Sequence, residues 1–212
     1  VGGGRQPGER VHGVGQQVEN DFQHLPPPSI KEINTLFHDH GYEDGQKVYG
    51  EGDEAQHLYL TAMGRVRLSR AAASGRQVVL DILHGGEYFG NLKALGAASY
   101  AETASCHTEA CILQISSQDF EGILKRYPEV AMKVLEAVGR RLEESRELVK
   151  QLSSFTVEQR IASALLRLAG RLGEQHNQSV LIQLPFSRQD LAAMTGATVE
   201  TASRVMSRFA ED

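Results

Sequence analysis

Residues 187–209 read SRQDLAAMTGATVETASRVMSRF, and the fold turns on how that run is divided. Ser187 followed three residues later by Asp190 is a helix-opening spacing. A serine hydroxyl can accept the backbone N–H three residues on, and the acid can return the bond. Leu191 is apolar, Ala192 is small, and Gly196 lies four residues beyond that alanine. A small residue lets a second helix cross closely, and glycine turns the chain at no steric cost. Val205 then falls on the buried side of a second helix. The pattern predicts a helix-turn-helix. A plain pair of antiparallel helices carries alanine and glycine as readily, so the surroundings have to decide. Within the run, Glu200, Ser203 and Arg204 stand three and four residues apart, on one helical face.

Working back from there, Thr156 and Gln159 form another capping spacing. Ile161, Leu165, Leu168 and Leu172 continue as a helix stopped by Gly173, and HNQSVLIQL reads as a short strand pair turning at 176–178. In 129–152, the positions Ala131, Leu135, Val138, Leu142, Ser145, Val149 and Leu152 alternate four- and three-residue steps. That is a coiled-coil seam of about three heptads. The stripe is narrow and flanked by Arg and Glu, which predicts a homodimer seam rather than a helix packed on its own domain. SQDFEGILKRY, just before, is a short helix stopped by Pro128.

From about 43 to 115 the texture differs. The runs KVYG, HLYLTAM, RVRLSR, QVVLDIL and ACILQI alternate with turn glycines, which predicts a β sandwich or roll. LSRAAASGRQVVL reads as a hairpin. Upstream, three prolines precede Ser29 and Glu32 at a capping spacing, and Ile30, Ile33, Leu36 and Phe37 make a short helix ending before Gly41. The glycine-rich residues 1–20 read as a flexible arm.

Composition narrows the function. The 212 residues are 41% hydrophobic and 23% charged, enough for two modest domains. A net charge of −5 excludes a protein that covers most of its surface with nucleic acid, so DNA binding would fall to one small element. The two cysteines, Cys106 and Cys111, exclude a disulfide scaffold and point to a reducing cytoplasm. No apolar run has membrane-spanning length, so no membrane partner is expected.

Taken in order, KVYGEGD, LTAMGRVRLSR, GEYFG, the long helix, EQRIASALLRLA and SRQDLAAMTGATVETASRVMSRF resemble the CRP/FNR family of bacterial transcription regulators over 41–212. TVETASR is similar to the FNR-type recognition helix, with Val199 where the CRP type tends to have a second arginine. Ala202 departs from the larger aliphatic common there. The resemblance implies an α+β chain: an N-terminal β-roll, the cyclic-nucleotide-binding-like jelly roll, at 21–128; a dimerisation helix at 129–152; and a C-terminal winged helix-turn-helix at 153–212, its wing missing or truncated. It implies no enzyme but a cytoplasmic homodimer whose partners are double-stranded DNA and RNA polymerase. Val199, Glu200, Ser203 and Arg204 would read bases of a TTGAT-like inverted repeat, and Ser187, Arg188 and Thr198 would hold phosphates.

In the nucleotide-binding members of that family, a GE-x-[FI]-G-E cassette is followed about ten residues on by Arg-Ser. Here Gly86, Glu87, Phe89 and Gly90 match, but Asn91 replaces the last acid and 91–105 holds no arginine. Tyr100 falls near the expected arginine position, with Glu102 close by. A phosphate beside an acid and without its bidentate cation is unfavourable. The effector pocket of Gly86, Glu87, Phe89, Gly90, Asn91 and Tyr100 is therefore expected to keep the fold and not bind cAMP. Another small-molecule effector and an effector-independent regulator both stay open. An iron–sulfur cluster is not expected, since 1–105 contains no cysteine, and Cys106 and Cys111 read as packed thiols. Haem stays open through His84, before the Gly85–Gly86 turn. His38-Asp39-His40 resembles the HxH of cupin-like metalloenzymes, the alternative from another class. It is expected at a helix end ahead of the roll, with no third ligand and so no metal site.

Overall fold

The computed structural model describes residues 23, 25–73, 75, 77–90, 96, 98–177, 179–182 and 186–211. The arm expected at 1–20 and the pocket residue Asn91 lie outside them. The elements run α1 (Pro27–Leu36), β1 (His38–Tyr42), β2 (Lys47–Tyr49), β3 (His57–Met63), β4 (Val66–Ala71), β5 (Gln77–Leu83), β6 (Tyr88–Phe89), β7 (Thr103–Cys106) and β8 (Ala110–Ser116). Then come α2 (Ser117–Arg126), α3 (Pro128–Ser154), α4 (Val157–Leu172), β9 (Gly173–His176), β10 (Ser179–Ile182), α5 (Arg188–Thr195) and α6 (Val199–Glu211). They form two compact units. One takes the chain to Leu68 and from Ile82 to Ala131; the other holds Ser69–Asp81 and everything after Ala131.

The strands β1 to β8 make a β-roll of two four-stranded sheets, ordered β1-β8-β3-β6 and β2-β7-β4-β5. Strands β3 and β8 pair antiparallel from His57↔Ser116 to Met63↔Cys111, with an irregularity between Thr61 and Met63. Both faces of this pair are buried. Tyr59 and Ile112 join Tyr49, Val66, Phe89 and Tyr100 in one cluster, while Leu58, Leu60, Leu113 and Ile115 are buried on the alternate positions. Each such side chain stabilises the fold by about 1.5–3 kcal/mol. Helix α2 packs on β3 and β8.

Two expectations for the start of the roll need correcting. Ser29 does not cap α1: the helix starts at Pro27, Pro26 is its N-cap, and no side chain closes it. Proline fits the first turn because its missing N–H would have no helical partner there. The HxH pair does not lie at a helix end ahead of the roll. It is inside β1, the edge strand paired to β8 with His38↔Gln114 and His40↔Ile112. Phe37 is already extended (φ −90°, ψ 133°) and ends the helix, and an exposed edge strand accepts polar residues on successive positions.

Helix α3 extends the expected seam helix by one residue at its start and two at its end. Val130 is buried, whereas Leu135, Val138, Leu142, Ser145, Val149 and Leu152 are all exposed. Helix α4 opens on a capping box: the Gln159 N–H donates to Thr156 Oγ1 (3.3 Å) and the Thr156 N–H to Gln159 Oε1 (2.9 Å). Its buried face is Ile161, Ala164, Leu168 and Leu172. Helices α5 and α6 meet at Gly196, whose left-handed backbone (φ 66°, ψ 23°) disfavours any residue with a Cβ. Ile161, Ala164, Leu191, Ala192, Ala202 and Val205 form one core. Ala202 is fully buried in it.

Candidate nucleic-acid interface and sensor core

Burial of Ala202 and Val205 sets the azimuth of α6. Successive residues of a helix differ by about 100°, so inward 202 and 205 turn 199, 200, 203 and 204 outward. Val199 is 46% exposed, Glu200 and Arg204 are exposed, and Ser203 is half-buried. The structure thus brings together all four expected base readers. Among the described residues neither Glu200 nor Arg204 makes an ion pair, whereas Arg208, one turn on, is tied to Glu158 of α4.

The three expected phosphate contacts differ in their freedom. Ser187 Oγ donates to Asp190 Oδ2 at 2.6 Å and accepts from the Asp190 N–H at 3.1 Å, while its own N–H donates to the same carboxylate at 3.0 Å. Thr198 Oγ1 donates to Thr201 Oγ1 at 3.0 Å and accepts from the Thr201 N–H at 3.2 Å. Both hydroxyls serve as helix caps. Arg188, exposed at the first position of α5, has a charge to offer an anion at that terminus.

In the roll, Glu87 closes the cassette turn by accepting the His84 N–H at 2.8 Å. The His84 ring sits over the same turn, Nδ1 2.7 Å from the Gly85 carbonyl and Nε2 3.5 Å from Glu87. Phe89 is fully buried. Gly86 precedes Glu87 in that turn, and Gly90 (φ 90°) lies so close to β3 that a Cβ would stand 3.1 Å from the Tyr59 ring and 3.2 Å from the His57 carbonyl.

Tyr100 is 3% exposed. Its hydroxyl donates to the His57 carbonyl and accepts the His57 N–H, both at 3.0 Å. Its ring stacks on Tyr49 with centroids 3.8 Å apart and 20° between planes. Its backbone bonds Gly52 and Asp53, each at 2.9 Å. Tyr49 in turn donates to Glu102 at 2.9 Å and stacks on Tyr59 and Phe89. Burial pushes the Tyr49 and Tyr59 phenols well up, with the Glu102 charge adding to the first and the Tyr100 hydrogen bond to the second, so both stay protonated. Reading the sequence placed Tyr100 beside Glu102 but missed Tyr49 and His57. Their partnership crosses 43 to 53 residues and leaves no local spacing to find.

Cys106 is buried and its thiol is pushed up to about 11 by desolvation; Cys111 is pushed up for the same reason. Neither is an activated thiolate. Among the described residues no group of three or more His, Cys, Asp and Glu could hold a metal ion. No described helix is long and apolar enough to cross a membrane.

Two family models match. The cyclic nucleotide-binding domain covers residues 40–127 and the Crp-like helix-turn-helix domain covers 159–212. The cyclic AMP receptor protein of Thermus thermophilus is 30% identical over 191 residues, 90% of this chain and 85% of that protein. The CRP-like cAMP-activated global transcriptional regulator of Mycobacterium tuberculosis is 25% identical over 189 residues, 89% of this chain and 84% of the relative. Among solved structures, FixK2 of Bradyrhizobium japonicum superposes with a TM-score of 0.74 at 23% identity, covering 83% of this chain and 85% of that one. The catabolite activator protein of Thermus thermophilus has a TM-score of 0.57 at 29% identity, over 90% and 86%.

Proposed function

Since this chain belongs to the CRP/FNR family of bacterial transcription regulators, we propose that it acts as a homodimer in the cytoplasm, reads an inverted repeat of TTGAT-like half-sites, and works with RNA polymerase. The observation that carries the reading is the outward face of α6, where Val199, Glu200, Ser203 and Arg204 are presented by a helix whose other side is buried. Fluorescence anisotropy on the inverted repeat and on a scrambled duplex, at fixed salt, tests it. A specific regulator prefers the repeat by roughly a thousandfold or more; equal binding to both overturns the reading.

Arg188→Ala should weaken repeat and scrambled DNA alike, because a cation at the start of α5 meets phosphate rather than bases. The slope of log K against log salt should flatten by about one. A slope that does not change removes Arg188 from the phosphate contacts.

For the sensor roll we propose no cAMP site, although relatives carry cAMP in their names. Tyr100 supports this. Near the position where the family's nucleotide-binding members place their phosphate arginine stands a buried phenol with both hydrogen-bonding roles of its hydroxyl already taken, and the Tyr49 ring on which it stacks donates to the carboxylate of Glu102. The residues present do not fit a cyclic phosphate. An effector-independent regulator is the second reading, supported by the bonds through which Tyr100 itself is held to His57 of β3. His84 fits a turn-locking role better than a haem axial ligand, since both ring nitrogens face acceptors. Titration calorimetry with cAMP and cGMP should give no binding heat at micromolar ligand, and operator affinity should not respond to either. A micromolar site for one of them sinks the proposal.

A further inference from the structure

We infer that Arg160 is a positioning residue for DNA reading, fixing the turn beneath α6 to the junction between α3 and α4. Its Nε donates to the carbonyl of Thr195, the last residue of α5, at 2.9 Å. Its Nη1 donates to the carbonyl of Phe155, the first residue after α3, at 3.3 Å. One side chain thus reaches both ends of the path from the seam helix to the reading helix.

Three features make this contact more than packing. The last carbonyls of a helix have no helical partner, and a cation there also meets the negative end of the helix dipole. Thr195 is buried, so its carbonyl has little water to turn to. A guanidinium is a planar fork with its donors in fixed relative directions, so it holds two acceptors in register, a geometry that the compact ammonium of a lysine on its flexible stem does not impose. The neighbours are rigid as well. Ile161 beside Arg160 is fully buried, Phe155 donates back to Gln151 at 2.9 Å, and Gly196 and Ala197 both return their N–H groups to Ala192. Displacing the Phe155 carbonyl displaces the guanidinium, and with it the Thr195 carbonyl four residues before the start of α6.

The inference rests on the proposed reading of α6 as the base reader. Arg160→Ala and Arg160→Lys are to be compared with the wild-type protein on the inverted repeat and on scrambled duplex over a salt series. Melting curves and sedimentation check fold and dimer, and stoichiometric titration gives the active fraction. Operator affinity should fall about tenfold in both variants, as expected for losing charge-assisted bonds that hold geometry. Scrambled-DNA affinity and the salt slope should stay at wild-type values, because Arg160 meets no phosphate. Operator affinity equal to wild type overturns the role. So does a parallel loss on both DNAs that tracks the active fraction, which marks Arg160 as merely structural. A flattened salt slope also overturns it, by making Arg160 a phosphate contact. A wild-type protein that does not prefer the repeat overturns the parent reading instead, so the two failures are told apart.

Discussion

Leu142→Glu and Val149→Glu should each yield a monomer that no longer holds the inverted repeat. Helix α3 is 27 residues long, and in the single chain Leu142 is 53% exposed and Val149 61%. Leu135, Val138 and Leu152 continue the same stripe, each more than half exposed. An exposed apolar stripe of that length, interrupted at Ser145, calls for a partner, and the narrow heptad spacing fits a second copy of the same helix. About a two-fold axis each side chain counts twice, and burying one Leu or Val contributes about 1.5–3 kcal/mol. Glutamate removes that contribution at both copies and sets two carboxylates near each other in a dry seam, so the pair must separate or take up protons. The effect on DNA is larger than on assembly. A dimer engages the second half-site at the effective concentration set by the first, and losing that linkage costs about a hundred- to ten-thousandfold in affinity. Lys133→Glu, off the stripe on the same helix, is the control and should remain dimeric. Sedimentation velocity decides the matter: an unchanged dimer for either seam variant places the interface elsewhere.

Features written in neighbouring residues were mostly legible, the Ser29–Glu32 spacing being the exception because Pro27 already opens that helix. HLYLTAM coincides with β3, and the Thr156–Gln159 and Ser187–Asp190 spacings are both reciprocal capping boxes. Gly196 takes the left-handed turn its spacing to Ala192 implied. Ala202, a departure from the family pattern, is fully buried in the core that α4, α5 and α6 share. Strand β1 was not legible. HDHGY pairs along one edge only, so burial never forced an alternation of apolar and polar residues. The role of Tyr100 was half legible, its position but not its partners. Arg160 was not legible as a functional residue at all. Its acceptors are two backbone carbonyls, five and 35 residues away, and a carbonyl has no signature in an amino-acid sequence. The cap roles of Ser187 and Thr198 carry the same lesson in reverse, since a helix-opening hydroxyl and a phosphate-binding hydroxyl occupy the same place in a sequence.

Arg204→Ala should lower affinity for the repeat by about 1–3 kcal/mol and erase the preference for the G·C pair of the half-site. In a helix-turn-helix the first turns of the second helix enter the major groove. Arg204 lies one turn inside α6, on the face opposite the buried Ala202 and Val205, and its exposed guanidinium makes no ion pair among the described residues. Guanine offers two acceptors, O6 and N7, spaced for the two donors of that fork, and no other base presents the same pair. Glu200, one turn earlier on the same face, can accept from the N4 amino group of the paired cytosine and steady the arginine once both are in the groove. An acid carried toward a polyanion is otherwise repelled, so its presence on this face makes sense as a reader of bases. Ser203 and Val199 complete the strip, with a hydroxyl for a neighbouring base edge and an apolar contact for a thymine methyl. The alternative is an Arg and a Glu on a solvated helix that contribute almost nothing. Anisotropy on the repeat, with each base pair of the half-site changed in turn at fixed salt, separates the two. The wild-type protein should lose most at the G·C pair, and Arg204→Ala should bind every base there equally while keeping the wild-type penalties at the A·T positions. A variant that still discriminates at the G·C pair as the wild type does would move the reading face off this side of α6.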